Sequence, residues 1–140
     1  AAAELTRLEP SSVVLVGGLS WLGASVADAV AALLPSAEIQ RLDADNVYAL
    51  SAVAAAQTPA PGEGLFLATA ERYPDALAAA PAVVAEGGRL LLAPGAGEVH
   101  EAILAAAASQ CPPSAATFGG TAAVGEDVIE QILDHVVAAC

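Results

Sequence analysis

The sequence predicts an α/β protein of the Rossmann or flavodoxin type, a three-layer fold with a parallel sheet of about five strands and helices on both faces. Short apolar runs alternate with amphipathic segments along the 140 residues, which is typical of strand–helix units joined by right-handed crossovers. Hydrophobic residues make up 56% of the chain, enough to fill the core of one domain covering residues 1–140. A Gly-Gly turn followed by a helix pattern also occurs twice, at Gly17-Gly18 and Gly119-Gly120.

The two Gly-Gly turns belong to segments with the same pattern, Gly17–Gly23 and Gly119–Gly125, which are 102 positions apart. This constant offset indicates a repeated strand–turn–helix unit, and it predicts that both turns lie on the same edge of the sheet. Backbone N–H groups at such a turn could hold an anion or a sugar oxygen. Turn chemistry alone is a sufficient explanation, and neither turn is the G-x-G-x-x-G fingerprint of a dinucleotide site.

The strands are predicted from β-branched and aliphatic runs. They are Ser12–Val16, Ala37–Leu42, Gly64–Thr69, Arg89–Ala93 and Ala115–Phe118.

Helices are predicted between these strands, and a break separates the second helix from the third strand. The helices run from near Ser25 to Pro35, from Asp43 to Ala56, from Pro74 to the Gly87-Gly88 pair, from Glu98 to Ser109, and through the apolar stripe Val128, Ile129, Ile132, Leu133, Val136 and Val137. Ser25-x-x-Asp28 resembles a capping box, Pro81 predicts a kink, and Thr58-Pro59-Ala60-Pro61-Gly62 is the break.

Charge excludes several functions. The chain has sixteen acidic residues, four arginines and no lysine, so its net charge is −12. A protein with this charge would be repelled by nucleic acid and by an anionic lipid surface. No nucleophile, base and orienting residue stand at a recognisable spacing, and no Cys/His cluster has zinc spacing. His100 and His135 are expected to be solvated surface residues. We therefore predict no catalytic residue, no metal and no cofactor.

The chain lacks methionine, and Ala1-Ala2-Ala3 suits the flank of a signal cleavage site. Cys111 and Cys140 flank the last strand–helix unit. In a reducing cell they would be two unrelated thiols, whereas in an exported protein they could form a disulfide that contributes roughly 3 to 4 kcal/mol on chain-entropy grounds. The disulfide is the favoured interpretation.

Three segments carry a family resemblance: Phe66–Pro81, Leu90–Ala93 and Phe118–Val124. Together they resemble one cell-wall-binding repeat of the type 2 family, found in surface-layer and secreted proteins of Gram-positive bacteria, including actinobacteria. Residues 41–140 then correspond to one full repeat, and residues 12–40 to the closing unit of a preceding one. The opening segment keeps Arg41, Leu42 and Tyr48 of the family pattern.

The resemblance implies an exported, non-catalytic cell-envelope module with a Rossmann-like fold, whose partner is an anionic cell-wall polymer. It also implies association in threes, as a homo- or pseudo-trimer. The binding positions that it transfers are Gly17, Gly18, Arg41, Arg72, Tyr73, Asp75, Gly119, Gly120 and Thr121. A second hypothesis is an accessory subunit that keeps the fold but binds an envelope or membrane protein complex. An enzyme or nucleotide-binding role would rest on fold analogy alone.

Overall fold

The structure, a computed structural model, describes residues 1–57 and 64–140. Its contacts divide the chain into two compact units, Ala1–Asp45 and Asn46–Cys140. The α/β class is confirmed, and every strand pair in the described residues is parallel. The predicted break at Thr58–Gly62 lies outside the described residues.

The first unit contains two helices and two strands. They are α1 (Ala2–Leu8), β1 (Ser12–Val16), α2 (Ala24–Leu33) and β2 (Glu38–Leu42). β1 and β2 pair in parallel, with Ser12 opposite Glu38 and Val16 opposite Leu42.

Helix α1 is an element that the sequence pattern does not predict, because its residues form no apolar stripe and none of them is buried. It is supported locally by an ion pair one turn apart, in which Arg7 Nε donates to Glu4 Oε2 at 2.9 Å. This hydrogen bond lowers the pKa of the Glu4 carboxyl.

In its described residues, 46–57 and 64–140, the second unit contains four helices and three strands. They are α3 (Val47–Ala56), β3 (Gly64–Thr69), α4 (Tyr73–Ala85), β4 (Arg89–Ala93), α5 (Glu101–Ala108), β5 (Ser114–Thr117) and α6 (Glu126–Ala139). The sheet order is β4-β3-β5.

Strand β3 is central and is buried along its full length. Leu65 and Leu67 pack into one apolar cluster with buried residues of α3, α5 and α6. Helix α4 packs against β3 and β4 and buries Ala79, outside that cluster. Because side chains alternate along a strand, α4 covers the opposite face of this sheet. Layers therefore lie on both faces, as predicted.

The five predicted strands are present, but hydrogen bonding groups the described strands into two sheets, β1-β2 and β4-β3-β5. Each Gly-Gly turn follows the carboxyl end of a strand in its own sheet. The prediction that both turns lie on one edge of a single sheet stays a prediction.

Two helix starts lie three or four residues later than predicted, and a side-chain cap explains each. Helix α3 begins four residues later than Asp43, because Asn46 Oδ1 accepts from Ala49 N at 2.9 Å. Helix α5 begins after His100, whose Nδ1 accepts from Ala102 N at 3.1 Å, so the expected solvated histidine is instead a capping residue.

Helix α2 follows Gly23 and has no side-chain capping bond, so the Ser25 capping box is wrong. The preceding turn fixes this start, since Val26 N already donates to Gly23 O at 3.0 Å. Pro81 lies inside α4 and does not end it. The disulfide between Cys111 and Cys140 is present, with the two Cα atoms 5.6 Å apart.

Candidate functional site

The two Gly-Gly turns have the same hydrogen-bond pattern, which supports the repeat read from the sequence. In each, the second glycine accepts from two successive N–H groups at the end of the turn. The bonds are Trp21 N and Leu22 N to Gly18 O, at 3.0 and 2.8 Å, and Ala123 N and Val124 N to Gly120 O, at 3.0 and 3.1 Å. Each turn then leads to a helix with a glycine N-cap, Gly23 or Gly125. Equivalent sequence positions thus make equivalent contacts.

The two turns differ in their exposure to solvent. Gly17 and Gly18 are buried, whereas Gly119 and Gly120 are exposed. Arg41, at the end of β2, accounts for part of this difference. Its Nη1 donates to Gly17 O at 2.7 Å and to Leu22 O at 2.8 Å. In the first unit this arginine therefore holds the turn together, and a ligand-binding role for it stays a prediction.

Asp43, which follows β2, covers the same turn. A Cβ atom added to Gly18 would lie 2.7 Å from Asp43 Oδ2, so the carboxylate packs directly against the glycine backbone. Only a residue without a side chain fits there. In the first unit, the side chains of Arg41 and Asp43 thus cover the Gly17-Gly18 turn.

In the second unit, the carboxyl edge of the sheet forms an open cleft of about 320 Å³. It is lined by Thr69, Glu71, Arg72, Gly95, Ala96, Ala122 and Ala123. The loops after β3 and β4 and the turn after β5 all contribute, which is where parallel α/β sheets place their ligand sites. We refer to these residues as the carboxyl-edge cleft.

Hydrogen bonds between its loops keep the cleft in shape. Glu71 Oε1 accepts from Gly95 N at 3.2 Å, and the buried Thr69 Oγ1 accepts from Glu71 N at 3.1 Å. On the side of α6, Asp127 Oδ2 accepts from Gly97 N at 2.9 Å, and Gln131 Nε2 donates to Gly97 O at 2.8 Å. The loop after β4 is therefore fixed from both sides.

The predicted binding residues of the second unit lie at or beside this cleft. Arg72 lines it and is exposed, as are Thr121 and Tyr73, the latter with 76% of its surface accessible. Asp75, in the first turn of α4, packs against Gly119, so that a Cβ atom there would lie 2.9 Å from the carboxyl carbon. Arg41, Gly17 and Gly18 belong to the first unit.

Glu71 is a cleft residue that the family resemblance did not transfer as a binding position. Its carboxylate bonds to Gly95, on a loop 24 residues away in the chain, and only the fold brings the two together. The available signal is its place two residues after the buried end of β3, at the carboxyl edge of a parallel sheet.

The electrostatics of the cleft do not favour a bare anion. Among the described residues that line it, Arg72 is the only basic one, and Glu71 lines it as well. Asp75 adds a second carboxylate beside the exposed Gly119 turn. A hydroxyl-rich ligand that brings a single anionic group to Arg72 fits this balance better than a polyanion does.

Neither a metal centre nor a membrane span is found in the parts of the chain that the structure describes. Residues 1–57 and 64–140 contain no group of three or more His, Cys, Asp and Glu side chains that could hold a metal ion. Over the same ranges, every helix is too short or too polar to cross a bilayer.

Comparison with protein families gives one match that includes the cleft. The profile described as Cell wall binding domain 2 matches residues 41–129, more than half of the chain. The chain belongs to the cell wall binding domain 2 family. The resemblance drawn from Phe66–Pro81, Leu90–Ala93 and Phe118–Val124 is thereby confirmed. All residues of the carboxyl-edge cleft fall within the match.

Solved structures show the same fold as this cell wall binding domain 2 chain. Cwp6 from Clostridium difficile matches 95% of the chain with a TM-score of 0.83 at 20% identity. Cwp8 from Clostridium difficile matches 96% with a TM-score of 0.72 at 16% identity. The chain spans only 21% and 22% of those proteins. No curated protein sequence gives a significant match.

Proposed function

We propose that this chain is a non-catalytic, extracytoplasmic module that attaches a protein to the cell envelope by binding cell-wall polymer in the carboxyl-edge cleft. The observation that carries the proposal is the family match over residues 41–129, which includes the whole cleft. The disulfide agrees with an extracytoplasmic location, because such bonds persist mainly in oxidising compartments.

The proposed recognition is short-range. Arg72 would bind one phosphate or carboxylate of the polymer, while Tyr73 presents an exposed ring and hydroxyl to a sugar. Glu71 and Asp75 would accept hydrogen bonds from sugar hydroxyls, or bind a divalent cation that bridges to an anionic group of the polymer.

Long-range attraction has no part in this mechanism, because the chain carries a net charge of −12. Raising the salt concentration screens repulsion between the chain and an anionic polymer as much as it weakens the Arg72 contact. Binding to walls is therefore expected to be weak and to change by less than about twofold between low and moderate salt. A basic wall-binding protein would instead lose affinity steeply.

The decisive test is co-sedimentation of the chain with purified cell walls, with and without divalent cations. Arg72→Gln is expected to reduce the bound fraction severalfold, and Tyr73→Ala likewise, because each removes an exposed contact and leaves the core intact. Arg7→Gln is the matched control, since it makes the same charge change at another exposed arginine, on α1. Equal binding of the Arg72 and Arg7 variants to walls would show that the cleft does not bind the polymer.

Two outcomes would favour other readings. Co-purification of one stoichiometric envelope or membrane protein, with no retention on walls, would support the accessory-subunit hypothesis. Association in threes is also part of the proposal, and a purely monomeric chain in sedimentation equilibrium, with and without soluble wall fragments, would contradict the homotrimer and leave only the pseudo-trimer, in which the three repeats belong to one polypeptide.

A further inference from the structure

Trp21 is the single tryptophan of the chain, and 52% of its surface is accessible to solvent. It lies in the turn that follows the carboxyl end of β1 and leads to α2. Leu19, in the same turn, is 63% exposed, and Ser20 between them is exposed as well. The turn at the carboxyl end of β1 thus presents an indole ring together with an aliphatic and a hydroxyl side chain.

The conformation of the turn does not require this tryptophan. The equivalent position of the second unit, 102 residues later, is Ala123, and its turn has the same hydrogen-bond pattern. A Cβ atom added to Gly17 would lie 3.6 Å from Trp21 Cβ, and one added to Gly119 would lie 2.6 Å from Ala123 Cβ. Both side chains therefore begin beside the first glycine of their turn. Ala123 is buried and suffices for the turn, whereas the indole extends into solvent, where it is available for binding.

Hydrogen bonds on both sides of Trp21 fix the place where its side chain begins. Trp21 N donates to Gly18 O at 3.0 Å. Arg41 Nη1 joins the carbonyls of Gly17 and Leu22, at 2.7 and 2.8 Å. The backbone that carries the indole is therefore held before a ligand binds, which lowers the entropic cost of binding.

The polar groups of this turn disfavour an anionic ligand and favour an uncharged one. The half-buried guanidinium of Arg41 donates to two carbonyls of the turn. Asp43 is exposed, and its carboxylate packs against Gly18, so it repels anions and accepts hydrogen bonds from hydroxyl groups. The face of an indole carries partial negative charge and attracts the weakly positive C–H groups of a sugar ring.

We propose that Trp21 is a stacking platform for an uncharged sugar ring of the cell-wall polymer, with Ser20 and Asp43 binding its hydroxyl groups. This sugar site belongs to the first unit and shares no residue with the carboxyl-edge cleft, whose residues lie in the second. It rests on the proposed function, because it takes the wall polymer as the ligand.

Fluorescence of the full chain tests the proposal, because Trp21 alone supplies the tryptophan emission. The probe is a preparation of soluble fragments from purified cell walls. Stacking of a sugar is expected to shift the emission to shorter wavelength and to reduce quenching by acrylamide, since it covers the exposed ring. The response is expected to be unchanged by moderate salt and by inorganic phosphate, because the contact is uncharged. Competition by phosphate would overturn the proposal.

Variants of Trp21 extend the test to whole walls. Trp21→Ala is expected to weaken co-sedimentation with walls about tenfold, and Trp21→Phe by less, because phenylalanine keeps part of the stacking. The alanine variant is expected to fold, since Ala123 occupies the equivalent position, and circular dichroism checks this. Leu8→Ala is the matched control, because it truncates another apolar side chain of the first unit with a similar exposure, 56%.

The results separate this site from the cleft. Unchanged emission with fragments, or equal wall binding of the Trp21→Ala and Leu8→Ala chains, would overturn the Trp21 site, and a severalfold loss in Arg72→Gln would still support the cleft. Failure of the parent chain to bind walls would overturn both. An emission shift that grows with protein concentration in the absence of fragments would show that a second copy covers the indole, and it would overturn the sugar site.

Discussion

Gly119 and Gly120 both have left-handed backbone conformations, with φ of 89° and 67°, but their surroundings differ. A Cβ atom at Gly119 would lie 2.6 Å from the Cβ of Ala123 and would overlap the carboxylate of Asp75. At Gly120 nothing lies within 4 Å of the added atom. The two adjacent glycines therefore separate the conformational cost of a side chain from its steric cost.

The left-handed conformation costs an L-residue roughly 1–2 kcal/mol. Gly120→Ala is expected to lower the free energy of unfolding by about this amount and no more. Gly119→Ala carries the same cost and adds an overpacking penalty of about 1–3 kcal/mol, because Ala123 is buried and cannot move aside freely. The expected total for Gly119→Ala is about 2–5 kcal/mol.

Urea unfolding followed by circular dichroism measures both losses, provided that the m-values of the variants agree. Gly120→Asn is the control, since asparagine tolerates the left-handed region. Replacing Asp75 by alanine in the Gly119→Ala chain should recover part of the loss, because the carboxylate is one of the two overlapping groups. Equal losses for the two alanine variants would refute the reasoning, since they would show that Gly119 is required for its φ alone.

Three further predictions concern stability. Replacing both Cys111 and Cys140 by serine should lower the free energy of unfolding by about 3–4 kcal/mol in a urea titration, and thiol titration of the unreduced, denatured parent chain should find no free thiol. Asn46→Ala should cost about 1 kcal/mol by removing the cap of α3, whereas Asn46→Asp should retain most of it in the same titration. Arg41→Gln should speed amide hydrogen exchange in residues 17–22, because their turn loses its clamp; unchanged exchange would show that the turn is held by its own backbone bonds.

The sequence by itself determined the class of the fold and most strand positions, because both depend on local patterns. β1, β3 and β4 begin and end where their apolar runs do. The Gly-Gly repeat was also readable, since a sharp turn with positive φ requires glycine wherever it occurs. Helix starts were less predictable where several residues after a strand could serve as the N-cap. At α3 and α5 the capping residues are Asn46 and His100, which lie further from the preceding strand than the predicted starts.

Tertiary structure alone decided how the strands pair into sheets and which side chains contact which loops. Nothing local to β5 tells which of its edges is paired, because both edges of a strand carry the same backbone groups. The contact of Glu71 with Gly95, and the use of Arg41 to hold the turn at Gly17, join residues 24 positions apart in each case. Such contacts depend on the order and register of strands, which hydrophobic periodicity does not encode. The fold class was therefore visible in the sequence, while the shape and charge of the cleft were not.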